Sequence, residues 1–259
     1  MEKLVKVEKQ EKIAVITIDH PPLNVMDQQV VRELKEAFTE IEHDQETVAV
    51  ILTGAGERAF MAGADIKEFP ELMGRTGIKE QFMVNHSVLG YIDHFPKPVI
   101  AVLNGLTLGG GCELALTCDL RIAEEHVQIG LPEIKLGLFP GAGGTQRLSR
   151  AVGEARAKEI MFTGEPIDAE KAERIGLVNY VMPKGTGLNK AMELAGRITQ
   201  YSLPALSRMK KAVDDGLDLP LSKGIEREAE LFEEVFQTKD IQEGVQAFIE
   251  KRKPVFTHQ

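Results

Sequence analysis

Cysteine is scarce in this chain: Cys112 and Cys118 are the only two in 259 residues. Two thiols flanking one predicted helix, six positions apart, suit neither a disulfide framework nor a tetrahedral zinc site, so both read as buried, reduced side chains. Long apolar runs are lacking too. The longest, such as residues 98–103, fall far short of the roughly 18 residues that a membrane span requires. Nor is there a surplus of positive charge. Lys and Arg total 31 against 40 Asp and Glu, a net charge of −9, which excludes nucleic acid as the main partner because phosphate binding needs a basic footprint. A polyanionic ligand would have to be met by local lysines. The opening MEKLVKVEKQEK mixes both charge signs and has neither the apolar core of a secretory signal nor the acid-poor, Arg-rich bias of a transit peptide. The expected compartment is the cytoplasm.

Several chemical signatures are missing as well. None of the six histidines sits in H-E-x-x-H or comparable ligand spacing, so no metal site is expected, and no G-x-S-x-G elbow presents a serine nucleophile. GLFPGAGGTQ lacks the Gly-Lys-Ser/Thr ending of a phosphate-binding loop. VAVILTGAGERA, residues 48–59, does carry G-x-G-x-x-A after a strand. A dinucleotide fold would start a long helix at the third small residue, whereas here FMAGAD follows. Fixed-period repeats and low-complexity tracts are likewise absent.

What is present is ordinary globular material, 43% hydrophobic and 27% charged, enough for one large domain with or without a helical appendage. Residues 4–8 and 12–18 read as two strands of a hairpin. Asp27 then caps a helix with Val30, Leu34, Phe38 and Ile41 at helical spacing, and residues 48–53 form a buried strand. After a loop over 54–63, Ile78, Phe82, Leu89 and Ile92 mark a second helix, which Pro96 and Pro98 end before a strand at 99–103. Strands at 120–123 and 127–129, helices near 145–152, 155–162 and from Asp168, and a strand at 177–181 continue the alternation. Such alternation indicates α/β architecture with a mostly parallel sheet system. Beyond Pro183 only helices follow, at 188–199, 204–215, 221–236 and 241–251, the last opened by a capping-box-like Asp240 and Glu243. Leu231, Val235, Val245 and Phe248 give these helices apolar faces that need cover, from the sheet domain or from another subunit.

The chain is organised around residues 103–119, LNGLTLGGGCELALTCD: a strand runs into Gly109, Gly110 and Gly111 and then into a short helix with Glu113 in its first turn. Glycines there let backbone N–H groups approach a ligand, and the positive end of the helix would stabilise a carbonyl oxygen turning negative. Ala62-Gly63-Ala64 is a second segment able to present amides, and Glu133 is a second acid beside a glycine-rich loop. Two amides converging on one oxygen make an oxyanion hole, and two carboxylates can hold a water and move protons between neighbouring carbons. The purely structural alternatives are a glutamate placed by the helix dipole at 113 and a solvated loop acid at 133.

FMAGADIKEF, KPVIAVLNGLTLGGGCELALTCDLRIA, LPEIKLGLFPGAGGTQRL and FIEKRKPVF, together with HPPLNVMD, closely resemble the enoyl-CoA hydratase, or crotonase, family in order along nearly the whole chain. Val25-Met26-Asp27 stands where that family more often ends the segment in Ala-Leu-Asn. The resemblance implies a crotonase spiral of ββα units over residues 1–195, holding an acyl-CoA site, and a C-terminal helical oligomerisation module over 196–259 that builds a trimer, commonly two trimers to a hexamer. It places the oxyanion hole on the amides of Ala64 and Gly110 and the catalytic carboxylates on Glu113 and Glu133. CoA contacts fall on Ala62, Asp65, Ile66 and Lys67, and on Phe248 and Lys251 from a neighbouring subunit's last helix. The implied reaction is hydration of a trans-2-enoyl-CoA to a 3-hydroxyacyl-CoA, in fatty-acid beta-oxidation or related acyl-CoA metabolism, with no metal and no cofactor beyond the CoA of the substrate. Glu113 is expected to activate the water and Glu133 to deliver the Cα proton. The alternatives are an isomerase or other crotonase-type acyl-CoA reaction, and a noncatalytic binding protein on the same scaffold, which would show a lost acid or a basic face.

Overall fold

The structure, a computed structural model, describes residues 3–64, 70 and 72–259. Strand β1 (Val5–Gln10) pairs antiparallel with β2 (Ile13–Ile18), and Glu11 takes a left-handed φ of 52° at the tight turn between them. From β2 outward the large sheet is parallel: β3 (Ala49–Gly54), β5 (Val99–Leu103), β7 (Leu120–Glu124) and β10 (Tyr180–Met182), in the order β1-β2-β3-β5-β7-β10. Both faces of its centre are covered. That is why AVILTG and VIAVL are near-continuous apolar runs, buried at every position.

On one face lies α1 (Gln28–His43), whose Asp27 accepts the Val30 N–H at 2.8 Å as its cap. Its buried Val30, Leu34, Phe38 and Ile41 join the main core, where Phe38 meets Phe95 edge-to-face at 5.0 Å. The other face receives α7 (Gly187–Ile198). Its Ala191 and Ala195 are small enough to seat the helix against Ile51, Ile100 and Ile122.

A second, smaller sheet has the order β4-β6-β8-β9. Its strands β4 (Ala59–Ala62), β6 (Leu106–Leu108) and β8 (Gln128–Gly130) each directly follow β3, β5 and β7 of the large sheet. The chain therefore steps from large sheet to small sheet and on to a helical element three times, a spiral of ββα turns. Residues 54–63, expected as a loop, hold β4, and β6 is separate from β5. Strands of three or four residues are too short to show a period, and Gly105 makes the corner between β5 and β6: a Cβ there would lie 2.5 Å from the Ala59 nitrogen. The strand expected at 177–181 starts later, with Leu177 and Val178 buried ahead of β10. The two-residue β9 (Ile167–Asp168) was also not legible.

Helix α2 (Lys79–Asp93) follows β4, α3 (Gly110–Ala115) follows β6, and α4 (Gly144–Val152), α5 (Glu154–Thr163) and α6 (Ala169–Arg174) follow β8. Behind α7, helices α8 (Leu203–Leu217) and α9 (Leu221–Val235) pack closely where Gly216 and Gly224 meet. Lys210 of α8 reaches Asp119 at 2.9 Å and so ties this pair to the sheet. Helix α10 (Lys239–Ile249) is capped by Thr238, which accepts from the Ile241 N–H, rather than by a box of Asp240 and Glu243. Both acids hold the returning tail instead. Asp240 accepts the Thr257 and His258 N–H groups, and Glu243 pairs with Arg252. Cys112 and Cys118 are buried free thiols, with burial pushing Cys118 up to about 12.

Candidate active site

The three glycines after β6 do three different things. Gly109 has φ +53° and ψ −124°, a conformation that glycine alone adopts without strain, and its N–H donates to the Gly130 carbonyl at 2.9 Å. A Cβ on Gly111 would fall 2.0 Å from the Met61 carbonyl oxygen, so its absence lets α3 rest on β4. Between them Gly110 opens toward a second backbone segment: its Cβ position lies 3.7 Å from the Ala64 nitrogen and 3.7 Å from Met26 Sδ. That segment is held by the loop after β2, with Ala62 N–H bonded to the Leu23 carbonyl and Met26 N–H to that of Gly63. Gly110 stands at the first position of α3, where no intrahelical partner exists, and among the described residues neither its N–H nor that of Ala64 donates a hydrogen bond.

Glu113 sits one turn into α3 and is 3% exposed. Its Oε1 accepts the Ala142 N–H at 2.7 Å and the Gly144 N–H at 2.8 Å, where α4 begins. Burial raises its pKa. Opposing the rise are those two hydrogen bonds and the positive charges of His86, when protonated, and Arg147. A Cβ on Gly144 would lie 3.0 Å from the same oxygen, which explains a glycine at this helix start.

Glu133 comes from a 3-10 turn (Glu133–Leu136) that follows β8. Its Oε1 lies 3.1 Å from the Cβ position of Gly109, and its Oε2 is buried without a hydrogen-bond partner. Burial, reinforced by the charge of Glu113 and opposed by its own backbone N–H, pushes this carboxyl up to about 7. The two acids thus differ in their surroundings. Two N–H donors hold Glu113 Oε1, whereas Glu133 Oε2 is buried without a partner and its carboxyl, at about 7, exchanges a proton near neutrality.

Of the residues expected in the site, Ala62, Ala64, Gly110, Glu113 and Glu133 belong to segments that the fold brings together. Asp65, Ile66 and Lys67 lie outside the described residues. Phe248, 85% exposed, and Lys251 stand on and just after α10, and among the described residues no hydrogen bond or ion pair ties either one to the carboxylates. The sequence reading missed Met26, Ala142, Gly144 and Arg147. The signal for the loop was its small-residue run GAGG ahead of a helix, which was compared with a phosphate loop and matched to the family motif but not read as a source of N–H donors to Glu113. Among the described residues no group of three His, Cys, Asp or Glu is arranged to hold a metal ion.

The enoyl-CoA hydratase/isomerase family model matches residues 8–259. The chain belongs to this family. A short-chain-enoyl-CoA hydratase of Clostridium acetobutylicum is 44% identical over 248 residues, 95% of each chain, and a crotonyl-CoA hydratase of Syntrophomonas wolfei is 40% identical over 96% of each. Among solved structures, an enoyl-CoA hydratase from Bacillus anthracis is 38% identical and superimposes with a TM-score of 0.92, covering 99% of this chain and 100% of that one. The ββα spiral with its C-terminal helices is therefore the crotonase fold. Within this enoyl-CoA hydratase/isomerase family member, both acids and both amide-bearing segments are present.

Proposed function

We propose that this chain is an enoyl-CoA hydratase, a hydro-lyase that adds water across the trans-2 double bond of an enoyl-CoA to give a 3-hydroxyacyl-CoA. The observation that carries the reading is the contrast between Glu113, held by two N–H groups, and Glu133, pushed up to about 7 by burial. Hydration needs both states at once. The thioester oxygen sits between the N–H groups of Ala64 and Gly110, so that charge developing on it as water adds at Cβ is met by two donors and the positive end of α3. Ionised Glu113 takes a proton from the water. Protonated Glu133 gives its proton to Cα, and the enolate collapses to the thioester. Ala64 with Gly110 and Glu113 with Glu133 thus form the catalytic set, and nothing beyond the CoA of the substrate takes part.

The CoA moiety is met by Ala62, Asp65, Ile66 and Lys67, and by Phe248 and Lys251 from a neighbouring copy. Support for that shared site is the open face of the C-terminal helices: Met209, Val213, Leu217, Leu221, Phe232 and Phe236 are all more than half exposed in the single chain. Residues 196–259 act as the assembling module of a trimer or hexamer, and sedimentation velocity should find no active monomer. The relatives' printed names, short-chain-enoyl-CoA hydratase and crotonyl-CoA hydratase, support short acyl chains. The proposed setting is fatty-acid beta-oxidation or kindred acyl-CoA metabolism, in the cytoplasm. Purified protein given crotonyl-CoA should abolish the absorbance of the conjugated enoyl thioester and yield 3-hydroxybutyryl-CoA. A 3-enoyl product with no hydration would turn the reading to an isomerase, and no reaction with any enoyl-CoA would turn it to a binding protein.

A further inference from the structure

Arg147 joins three parts of the site without bonding to either carboxylate. Its Nε donates to Asp93 Oδ2 at 2.8 Å, at the last residue of α2, and its Nη1 donates to the Ala142 carbonyl at 3.3 Å. The guanidinium lies against Gly143, whose φ is +105°; a Cβ there would come within 2.1 Å of Nη1. Ala142 and Gly144, on either side of that glycine, supply the two N–H groups that converge on Glu113 Oε1. Ala142 is thereby held at both ends, its N–H by Glu113 and its carbonyl by Arg147.

We propose that Arg147 is a positioning residue for Glu113, anchored by Asp93: it fixes the 142–144 loop so that both N–H groups meet one carboxylate oxygen. Its positive charge also favours the ionised carboxylate. The planar fork suits this role, because one rigid group must satisfy two acceptors in different elements, which an ammonium on a flexible stem does less well. With side chains only 19% and 33% exposed, Arg147 and Asp93 are shielded enough for the pair to hold geometry. The charges that face Glu113 are His86 from α2, Arg147 from α4 and Glu133 from the 3-10 turn, with the Cys112 thiol beside it. Asp93 in turn faces Arg121 and Asp214.

The proposal rests on the hydratase reading, so the wild-type protein is first assayed with crotonyl-CoA; no hydration there would reject that reading rather than this one. Arg147→Gln, Arg147→Lys and Asp93→Asn are then compared for folding, kcat, KM and the pH profile. Arg147→Gln should lower kcat by about 10- to 100-fold with KM within about twofold, as expected for slight misplacement of a catalytic group. Its acid limb should move to higher pH, because the buried carboxylate loses a positive neighbour. Arg147→Lys keeps the charge, so its limb should stay in place while kcat remains reduced. Asp93→Asn should lower kcat without raising the limb. A folded Arg147→Gln variant with wild-type kcat and an unmoved limb would overturn the proposal. Should that variant not fold, wild-type kcat in both Arg147→Lys and Asp93→Asn would overturn it equally.

Discussion

A methyl group at Gly109 would sit 3.1 Å from Glu133 Oε1, so the glycine that turns β6 into α3 also shapes the seat of the second acid. Gly109→Ala should therefore do two kinds of harm. Forcing alanine to φ +53° and ψ −124° costs about 1–3 kcal/mol of stability, and the added Cβ crowds the Glu133 carboxyl, the proposed proton donor. Urea unfolding together with kcat measures both. A variant as stable and as fast as the wild type would show that neither constraint exists.

The neighbouring glycines make a paired prediction. Gly111→Ala would drive a Cβ to 2.0 Å from the Met61 carbonyl oxygen and should fail to give a stable protein. A Cβ on Gly110 would meet the Ala64 nitrogen and Met26 Sδ at an ordinary 3.7 Å, so Gly110→Val should fold, but its side chain would occupy the space proposed for the thioester oxygen. The expected loss in kcat is about 10²- to 10³-fold, comparable to deleting one oxyanion donor. Soluble, fully active Gly110→Val would displace the oxyanion hole from this position.

The pH profile follows from the two acids. In the proposed mechanism hydration uses ionised Glu113 and protonated Glu133, dehydration uses the reverse pair, and both arrangements hold one proton in total. Both directions should accordingly share one bell-shaped profile, its alkaline limb near the value of about 7 to which burial pushes Glu133. A rate that climbs steadily from pH 7 to pH 9 would contradict this.

The same group makes a stability prediction. The Glu133 carboxyl is raised from 4.5 to about 7 on folding, so the folded chain holds its proton more tightly than the unfolded chain. Its stabilising contribution is full below 4.5 and is lost as pH rises through about 7. Relative to wild type, Glu133→Gln should thus gain thermal stability at alkaline pH compared with acid pH. An unchanged difference in Tm between the two conditions would show that Glu133 is not perturbed.

Much of this was legible in the sequence, for stateable reasons. Long elements announce themselves: Val30, Leu34, Phe38 and Ile41 at helical spacing behind Asp27 gave α1, and buried runs gave β3 and β5. Glu113 and Glu133 stood out because each adjoins a glycine-rich segment. Of the small sheet only β8 was legible, as the strand expected at 127–129, because β6 has three residues and β9 two, and their pairing partners are far away in sequence. The donors to Glu113 were missed for a similar reason. A backbone N–H carries no sequence signature of its own, and Ala142 and Gly144 lie about thirty positions from the side chain they hold. At α10 the local pattern of Asp240 and Glu243 was overruled by tertiary partners, since the tail offered Asp240 two N–H groups and Glu243 an arginine.

The most direct test of the account is the kcat of Glu113→Gln, Glu133→Gln and the double variant on crotonyl-CoA. Each single change keeps the shape and removes one proton acceptor or donor, so each should lower kcat by about 10²- to 10⁴-fold. If both acids act on one addition step, as proposed, the loss in the double variant should fall well short of the product of the single losses. CoA affinity should change little in all three. Wild-type hydration by Glu133→Gln, with activity lost only in Glu113→Gln, would contradict the two-acid mechanism.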